Sequence, residues 1–175
     1  MNKILKFKSE LLGATLYPQD NYIFFYGGIF SQWAKGVFFC QSLDIPVNCA
    51  EQAMMLHKAR LFKDEEAYFT ILNSDNPRVQ KAVGRQIKNW DDKAWDLVKF
   101  DLVKGINKDK FTQARTWNEL LFLTRNYLLI EASPTDRIWG IGMGEDNPEI
   151  LDTTKWGQNL LGKAITEVRK ELFGD

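Results

Sequence analysis

The clearest hydrophobic pattern in the chain runs from residue 49 to residue 62, where apolar side chains recur with the period of an α-helix. No glycine or proline interrupts this segment. Helical spacing sorts its residues into two neighbouring stripes, a mostly apolar one of Ala50, Ala53, Met54, His57 and Leu61 and a second one of Glu51, Met55, Lys58 and Phe62. The pattern therefore predicts a helix over 49–62 with its first stripe buried.

The start of this helix carries a polar signal. Asn48 is a favourable N-cap and Glu51 stands three residues later, so the two predict a capping box. Glu51 and Lys58 share a face and lie about 10 Å apart along the axis, which suits bracketing a small ligand better than direct pairing. The positive end of the helix dipole favours the ionised form of Glu51. The structural alternative is that Glu51 only completes the cap and that Lys58 is solvated.

The rest of the pattern predicts a β-rich start followed by helices. The β-prone runs that precede Asn48 are residues 3–7, 22–26 and 33–39, with an extended stretch at 45–47. Beyond the first helix, apolar spacing predicts helices at 64–73, 77–87, 90–104 and 109–124. The polar stretch 104–110 is expected to connect the last two of these helices.

The C-terminal part predicts one more strand and one more helix. The strand is expected at 127–131, a turn-rich stretch at 132–148 follows, and an amphipathic helix begins at Trp156. Together these elements predict a single, mainly helical α+β domain over residues 1–175 with a small β-rich N-terminal portion.

Composition and charge narrow the classes of function. Hydrophobic residues make up 45% of the chain and charged residues 26%, as is typical of a soluble globular protein. The 23 basic residues equal the 23 acidic ones, so no global field recruits nucleic acid or an anionic membrane, although a local basic groove is compatible with this balance. The longest apolar run, 22–30, is too short to span a bilayer, and from the residues at the N-terminus we expect no export signal.

Cysteine and histidine usage argues against a metal centre. Cys40 and Cys49 are the only cysteines, and the chain has one histidine. Neither a zinc-ligand spacing nor a disulfide framework is present, so we expect a reduced, cytoplasmic setting with no metal and no cofactor. The sequence leaves the oligomeric state open.

Polar residues that could support chemistry fall into four clusters, namely residues 30–33, Glu51 with Lys58, residues 131–144 and residues 156–159. Each has a structural alternative, since Asp136 suits a turn or a cap and Trp139 suits a core. Glycines at 140, 142 and 144 predict a loop that backbone or a ligand can approach closely. The run GIGMG is not a dinucleotide-binding fingerprint, because no helix is predicted to open on it, and no Walker lysine motif occurs.

Taken in order along the chain, the segments FSQW, AEQAMMLHKARLF, EASPTDRIWGIGMG and GQNLLGK resemble the NADAR family, the YbiA-like N-glycosidases. The similarity runs from about Tyr22 to Arg169. It implies a small, mainly helical α+β domain that hydrolyses N-glycosidic bonds in ribose-containing metabolites. For bacterial members the implied substrates are ribosylamino-pyrimidine phosphates, which are early intermediates of riboflavin biosynthesis.

The resemblance also assigns roles to residues. It implies that Glu51 and Asp136 are the catalytic acids, and that one of them stabilises the cation formed at the ribose carbon and positions water. The family's Gly-x-Asn element falls at Gly157 and Asn159. The side chains and backbone expected to bind substrate are Lys58, Trp139, Asn159, Arg85, Ser31, Trp33, Gly140 and Trp156.

Two departures from the family pattern concern substrate identity. Gln32 stands where the family often has asparagine, and Gln52-Ala53-Met54 replaces the usual residues after the glutamate. We expect both departures to face the substrate.

Alternative mechanisms and functions are compatible with the same residues. Lys58 could attack the anomeric carbon and form a Schiff base, because burial lowers a lysine pKa. The substrate could instead carry ADP-ribosyl groups on guanine or be a related NAD derivative, and only then would nucleic acid be a partner. A third alternative is a non-catalytic module that binds a nucleotide or ADP-ribose.

Overall fold

A computed structural model describes residues 6–174, whose contacts divide the chain into two compact units. Unit 1 combines Met1–Ser31 with Arg115–Asp175, and unit 2 is Gln32–Ala114. Across both units the described residues form six α-helices and six strands, which we number along the chain. The predicted α+β class, with helices in the majority, is confirmed. No α-helix within residues 6–174 combines the length and the apolar character needed to cross a bilayer.

Unit 1 is built on a four-stranded sheet in the order β1-β2-β3-β6. Its elements are β1 (Phe7–Ser9), β2 (Ala14–Tyr17), β3 (Tyr22–Phe25), β6 (Leu128–Glu131), α5 (Arg115–Leu123) and α6 (Leu160–Phe173). The first three strands are antiparallel, and β6 lies parallel to β3 with Phe24 opposite Ile130. Ile23, Phe24 and Phe25 are all fully buried, as expected for a strand covered on both faces. The predicted strand at 3–7 lies partly outside the described residues.

Unit 2 is mainly helical and carries a two-stranded antiparallel ribbon. Its elements are β4 (Phe38–Cys40), β5 (Ile45–Val47), α1 (Ala50–Leu61), α2 (Glu65–Leu72), α3 (Pro77–Gly84) and α4 (Asp92–Gln113). The strand predicted at 33–39 is shorter than expected, because only its end pairs with β5 through the Phe38–Val47 register. The helix predicted over 49–62 is confirmed, although Leu61, expected on the buried stripe, is 42% exposed.

The helix α4 corrects the prediction of a connector at 104–110. A single helix runs through this stretch, where Val103, Ile106, Asn107, Lys110 and Phe111 are all buried. Their spacing continues the helical stripe across the polar residues that suggested a break. The helix ends at Gln113, and the backbone of the C-cap residue Ala114 is extended.

The N-cap of α1 is Cys49, so the predicted Asn48–Glu51 capping box is wrong. The Cys49 thiol accepts from the Gln52 amide at 3.4 Å, and the Asn48 amide donates to Gln52 Oε1 at 2.8 Å. The Asn48 side chain is used elsewhere, since it donates to Ser74 O and accepts from Gln80 Nε2. Tertiary hydrogen bonds therefore shift the cap by one residue, and they anchor the start of α1 to the loop between α2 and α3.

The segment before α6 is held by Asn159, whose backbone is left-handed at φ 51°. Asn159 Oδ1 accepts from the Glu131 amide at 3.0 Å, and Nδ2 donates to Leu129 O at 2.9 Å. These bonds pin the start of the helix to β6. The predicted helix start at Trp156 is wrong, because the left-handed residue 159 prevents the helix from extending further toward the N-terminus.

Replacing Asn159 with Ala is expected to lower the free energy of unfolding by about 2–4 kcal/mol, because it removes two buried hydrogen bonds and a residue tolerant of positive φ. Asn21 is the matched control, since it also has positive φ, at 56°, but is exposed. N21A should cost about 1 kcal/mol. Urea denaturation followed by circular dichroism measures both, and equal losses would contradict the pinning role of the Asn159 side chain.

A second prediction concerns Lys110, which is fully buried in α4. Burial lowers the pKa of Lys110 from 10.5 to about 7. Between pH 7 and 9 the unfolded chain thus binds more protons at this residue than the folded chain, so its contribution to the free energy of unfolding rises with pH. K110M lacks this dependence. We expect the difference in unfolding free energy between K110M and the native chain to change by about 1 kcal/mol per pH unit in this window.

Urea denaturation at pH 7, 8 and 9 measures this difference. K108M, which alters an exposed lysine on the same helix, should show no such trend. A difference between K110M and the native chain that stays constant with pH would show that Lys110 remains charged in the folded state throughout.

Candidate functional site

The most deeply buried acid in unit 2 is Glu51, in the first turn of α1, with 4% of its surface exposed. Its backbone amide donates to Gln32 O at 2.9 Å. Its carboxylate accepts a hydrogen bond from the indole N–H of Trp33. Two consecutive residues therefore hold the backbone and the side chain of Glu51.

Burial raises the pKa of Glu51 above its ordinary value of 4.5, because the carboxylate loses water. Lys81, Lys58, the Trp33 indole and Arg85 act in the opposite direction, in that order of strength. The expectation that the helix dipole keeps Glu51 ionised is thus incomplete, because desolvation has the larger effect. The carboxyl group is consequently suited to exchanging a proton rather than remaining permanently charged.

Lys58 lies two turns along α1 from Glu51 and is half-buried. Its ammonium group is 4.8 Å from the ring centre of Trp90 and 5.0 Å from that of Trp95. Burial lowers the pKa of Lys58, Glu51 raises it, and Lys81 and Arg85 lower it further. Indole faces thus replace part of the water around this cation.

The other two cations come from the end of α3, where Lys81 and Arg85 are four residues apart. Gly84 allows α3 to pack directly on α1, because a Cβ at this position would lie 2.0 Å from Met55 Sδ. Lys81 Nζ lies 5.8 Å from the ring centre of Trp33. Close helix packing at Gly84 therefore brings both cations within electrostatic reach of Glu51.

These residues form what we call the Glu51 cluster, which consists of Trp33, Glu51, Lys58, Lys81, Arg85, Trp90 and Trp95. Three cations face a single carboxyl group, so the cluster carries excess positive charge. Indole faces and cations together favour a ligand that has both an anionic group and a planar ring.

Sequence reasoning predicted four members of the cluster and missed three. Glu51, Lys58, Arg85 and Trp33 were predicted, and unit 2 brings them together. The missed members are Lys81, Trp90 and Trp95. The available signal was the spacing of Lys81 and Arg85, which places two cations on one face of a predicted helix.

Gln52, which was expected to face the substrate, is turned into the interior of unit 2. It is buried, and its Nε2 lies within 3.2 Å of three backbone oxygens, those of Ile71, Leu72 and Ser74. The other departure, Gln32, is also buried, and its Oε1 accepts from Asn107 Nδ2 at 3.1 Å. Gln52 ties the start of α1 to the end of α2 and the loop after it. Gln32, which directly precedes Trp33, is tied to α4.

In unit 1, Asp136 forms a turn at the start of the glycine-containing loop. Its Oδ1 accepts from the amides of Ile138 and Trp139 at 2.9 and 2.8 Å, and its own amide donates to Ser133 Oγ. The turn therefore places Trp139, which is half-buried, three residues beyond the acid. This is the capping role that the sequence allowed as a structural alternative for Asp136.

Backbone hydrogen bonds join the loop after Asp136 to the segment before α6. The amides of 157–161 donate in turn to the carbonyls of Ile141, Arg137, Gly140, Ile138 and Trp139. A Cβ at Gly157 would lie 2.4 Å from Arg137 O, and one at Gly140 would lie 2.8 Å from Glu131 O. Close backbone approach explains both glycines, as the sequence predicted for Gly140 but not for Gly157.

The remaining predicted site residues of unit 1 have structural contacts. Asn159 bonds β6, as described above. Trp156 packs on Tyr22 and Phe24 and donates to Ile150 O at 2.7 Å. Ser31 ends the 3₁₀ turn Gly28–Phe30, its amide donating to Gly28 O. Roles of Ser31, Trp139, Gly140, Trp156 and Asn159 in substrate binding stay predictions.

Comparisons with known proteins agree with the resemblance seen in the sequence. A family model described as the NADAR domain matches residues 24–173. The chain is 36% identical over 169 residues to N-glycosidase R617 of Acanthamoeba polyphaga mimivirus, a match that covers 87% of this chain and 96% of the relative. It is also 24% identical over 135 residues to riboflavin biosynthesis protein VVA0006 of Vibrio vulnificus, covering 77% of this chain and 34% of that protein.

A solved structure extends the likeness to the fold. The NMR structure of the Escherichia coli protein YbiA matches with a TM-score of 0.70 and 26% identity, over 87% of this chain and 85% of YbiA. That protein is itself named an N-glycosidase. The prediction of an enzyme that hydrolyses N-glycosyl compounds is confirmed at the level of class. Because the family model spans well over half of the sequence, the chain belongs to the NADAR domain family.

Proposed function

We propose that this N-glycosidase hydrolyses the bond between ribose and nitrogen in a small phosphorylated metabolite of the ribosylamino-pyrimidine phosphate class. The observation that carries this proposal is the Glu51 cluster, in which a buried carboxyl group with a raised pKa stands among Lys58, Lys81 and Arg85. The name of the Vibrio vulnificus relative, a riboflavin biosynthesis protein, supports this substrate class.

The chemistry of the bond matches a carboxyl group that exchanges protons. As the ribose carbon–nitrogen bond breaks, its electron pair goes to the nitrogen and the sugar gains oxocarbenium character. Glu51, protonated, donates to the departing nitrogen. As a carboxylate it then stabilises the cation and accepts a proton from the attacking water, which restores the starting state. Asp136 remains the predicted second acid.

The cations and indoles account for binding. Lys81 and Arg85 suit a phosphate group, since each presents N–H donors and positive charge at the end of α3. Trp90, 39% exposed and in contact with Lys58, offers a face for a planar base. A ligand with both groups gains from each, which favours a phosphorylated nucleoside-like molecule over a neutral sugar.

A second mechanism is favoured by the lowered pKa of Lys58. The neutral amine attacks the anomeric carbon, the base leaves with the electron pair of the broken bond, and the sugar ring opens to give an imine on Lys58. Water then hydrolyses the imine and regenerates the amine. In this mechanism Glu51 still supplies the proton to the leaving group.

Two alternative functions rest on the same cluster. A pyrophosphate would also be bound by three cations, so ADP-ribosyl groups on guanine, or related NAD derivatives, are the alternative substrates. A non-catalytic module that binds a nucleotide would use the cations and indoles without Glu51. The two kinds of substrate are compared in the experiment below, and the non-catalytic module is distinguished by the effect of Glu51.

The role of Glu51 is tested by comparing the activity of E51Q with that of the native enzyme. We expect the rate of base release to fall at least about a hundredfold, or about 2.7 kcal/mol, because Gln cannot exchange the proton. Mass spectrometry of released base, with ribosylamino-pyrimidine phosphates and separately with ADP-ribosylated guanosine, measures it. E65Q is the matched control, since Glu65 is also in the first turn of a helix but is exposed.

D136N tests the second acid in the same assay. Asn keeps the Oδ1 acceptor that caps the turn, so a loss of activity would report on the charge rather than on the fold. Full activity in both E51Q and D136N would contradict a catalytic role for the two acids, and an unchanged E51Q alone would contradict the proposal for Glu51.

A further prediction concerns Lys58. If the imine forms, reduction with borohydride during turnover should add a sugar phosphate to a peptide that contains Lys58, detectable by tandem mass spectrometry. K58M should lose the adduct, whereas K63M, an exposed lysine just beyond the same helix, should keep it. Full catalysis without any adduct would exclude the covalent mechanism and favour direct attack by water.

A further inference from the structure

We infer that Trp33 and Lys81 are positioning residues for this reaction, with Trp33 fixing the direction of the Glu51 carboxyl group and Lys81 fixing Trp33. This inference rests on the proposed function of Glu51. It differs from the prediction that Trp33 binds substrate, and it gives Lys81 a role that the sequence did not suggest.

Two consecutive residues, Gln32 and Trp33, hold Glu51 in place. The carbonyl of Gln32 accepts the Glu51 amide at 2.9 Å, and the next residue, Trp33, donates its indole N–H to the carboxylate. Gln32 is itself tied to α4 through Asn107 Nδ2 at 3.1 Å. These hydrogen bonds hold the backbone of the segment that carries Trp33 in place, so the indole donates to the carboxyl group from a fixed position.

Trp33 is only partly buried. The residue is 39% exposed, so core packing alone does not account for the position of its side chain. A hydrogen bond at the indole nitrogen and a cation over the ring restrain the side chain from two directions. The indole is thus held at the carboxyl group while part of it stays exposed to solvent.

Lys81 interacts electrostatically with both Glu51 and the Trp33 ring. Its Nζ lies 5.8 Å from the Trp33 ring centre, and among the charged groups that act on Glu51 it has the largest opposing effect to burial. The other groups that face this region are Lys58 on α1, Arg85 at the end of α3, the Cys49 thiol at the N-cap, and Lys110 on α4, which acts on Cys49. Lys81 therefore acts electrostatically on Glu51 and also lies over the ring of the indole that donates to it.

The consequence for the reaction is a carboxyl group held in one direction. General acid and base catalysis requires hydrogen-bond geometry at the transferred proton. Removing the indole N–H should therefore lower kcat more than it raises KM, because ground-state binding by the cations is retained.

Titration of Glu51 in the absence of substrate tests the inference directly. Protein labelled with ¹³C at the glutamate side-chain carboxyl is titrated by NMR, and the Glu51 signal is assigned by its loss in E51Q. In W33F, which keeps the ring and removes the donor, we expect the midpoint to rise by about one pH unit. K81M should raise it as well, by removing the strongest opposing charge.

Two control variants separate these effects from general perturbation. W117F keeps Trp33 intact and alters an indole on α5 of unit 1 that is not a member of the Glu51 cluster, so the midpoint of Glu51 should stay unchanged. K88M removes a lysine paired with Glu66 at 2.7 Å and should also leave it unchanged. Circular dichroism establishes that each variant is folded. If W33F does not fold, the Glu51 midpoint measured in K81M tests the inference.

The kinetic arm measures kcat and KM against pH on the substrate that the native enzyme cleaves. In W33F we expect kcat to fall about tenfold with KM nearly unchanged, and the limb governed by Glu51 to move upward with its midpoint. An unmoved Glu51 midpoint in folded W33F and K81M overturns the inference, whatever the activity. A shifted midpoint in a protein that cleaves none of the proposed substrates supports the positioning of Glu51 and overturns the proposed function instead.

Discussion

Burial of the Glu51 carboxyl group is the constraint on which the organisation of unit 2 depends. A carboxylate removed from water is strongly disfavoured unless charges and donors compensate for the lost hydration. Lys81, Lys58, the Trp33 indole and Arg85 provide that compensation. The dependence is mutual, because without the carboxyl group three cations would repel one another at short range. The pKa of Glu51 is nevertheless raised, because the effect of desolvation is larger than that of the cations and the indole.

Holding this balance requires a rigid start to α1, and the surrounding hydrogen bonds supply it. Gln52 joins the first turn to the end of α2, and Cys49 donates its thiol hydrogen to Gln80 Oε1 at 3.3 Å. Gly84 sets how closely α3 approaches, because even one methyl group there would collide with Met55. None of these three residues needs to touch a substrate. They decide where the charges of the cluster stand, which is the usual function of residues that support a site.

Periodicity predicted the elements of this site better than their contacts. The spacing of apolar residues gave α1 and put Glu51 and Lys58 on one stripe, since both are properties of a single helix. It missed Lys81 and Trp95, whose importance arises only when α3 and α4 are brought near α1. The N-cap was misplaced because Asn48 bonds Ser74 and Gln80, partners distant in sequence. The break expected at 104–110 failed for the same reason, as tertiary burial of Ile106 and Lys110 sustains one helix through a polar stretch.

The absence of net charge and the excess of positive charge in the Glu51 cluster together constrain the size of the ligand. With 23 basic and 23 acidic residues, the field of the whole chain cancels over distances beyond the Debye length, about 8 Å at physiological salt. An anion is then recruited only where several cations act together, as Lys58, Lys81 and Arg85 do around Glu51. A long polyanion draws its affinity from many phosphate contacts along an extended basic surface. A single phosphorylated metabolite needs only one such cluster, so the charge distribution favours the small ligand.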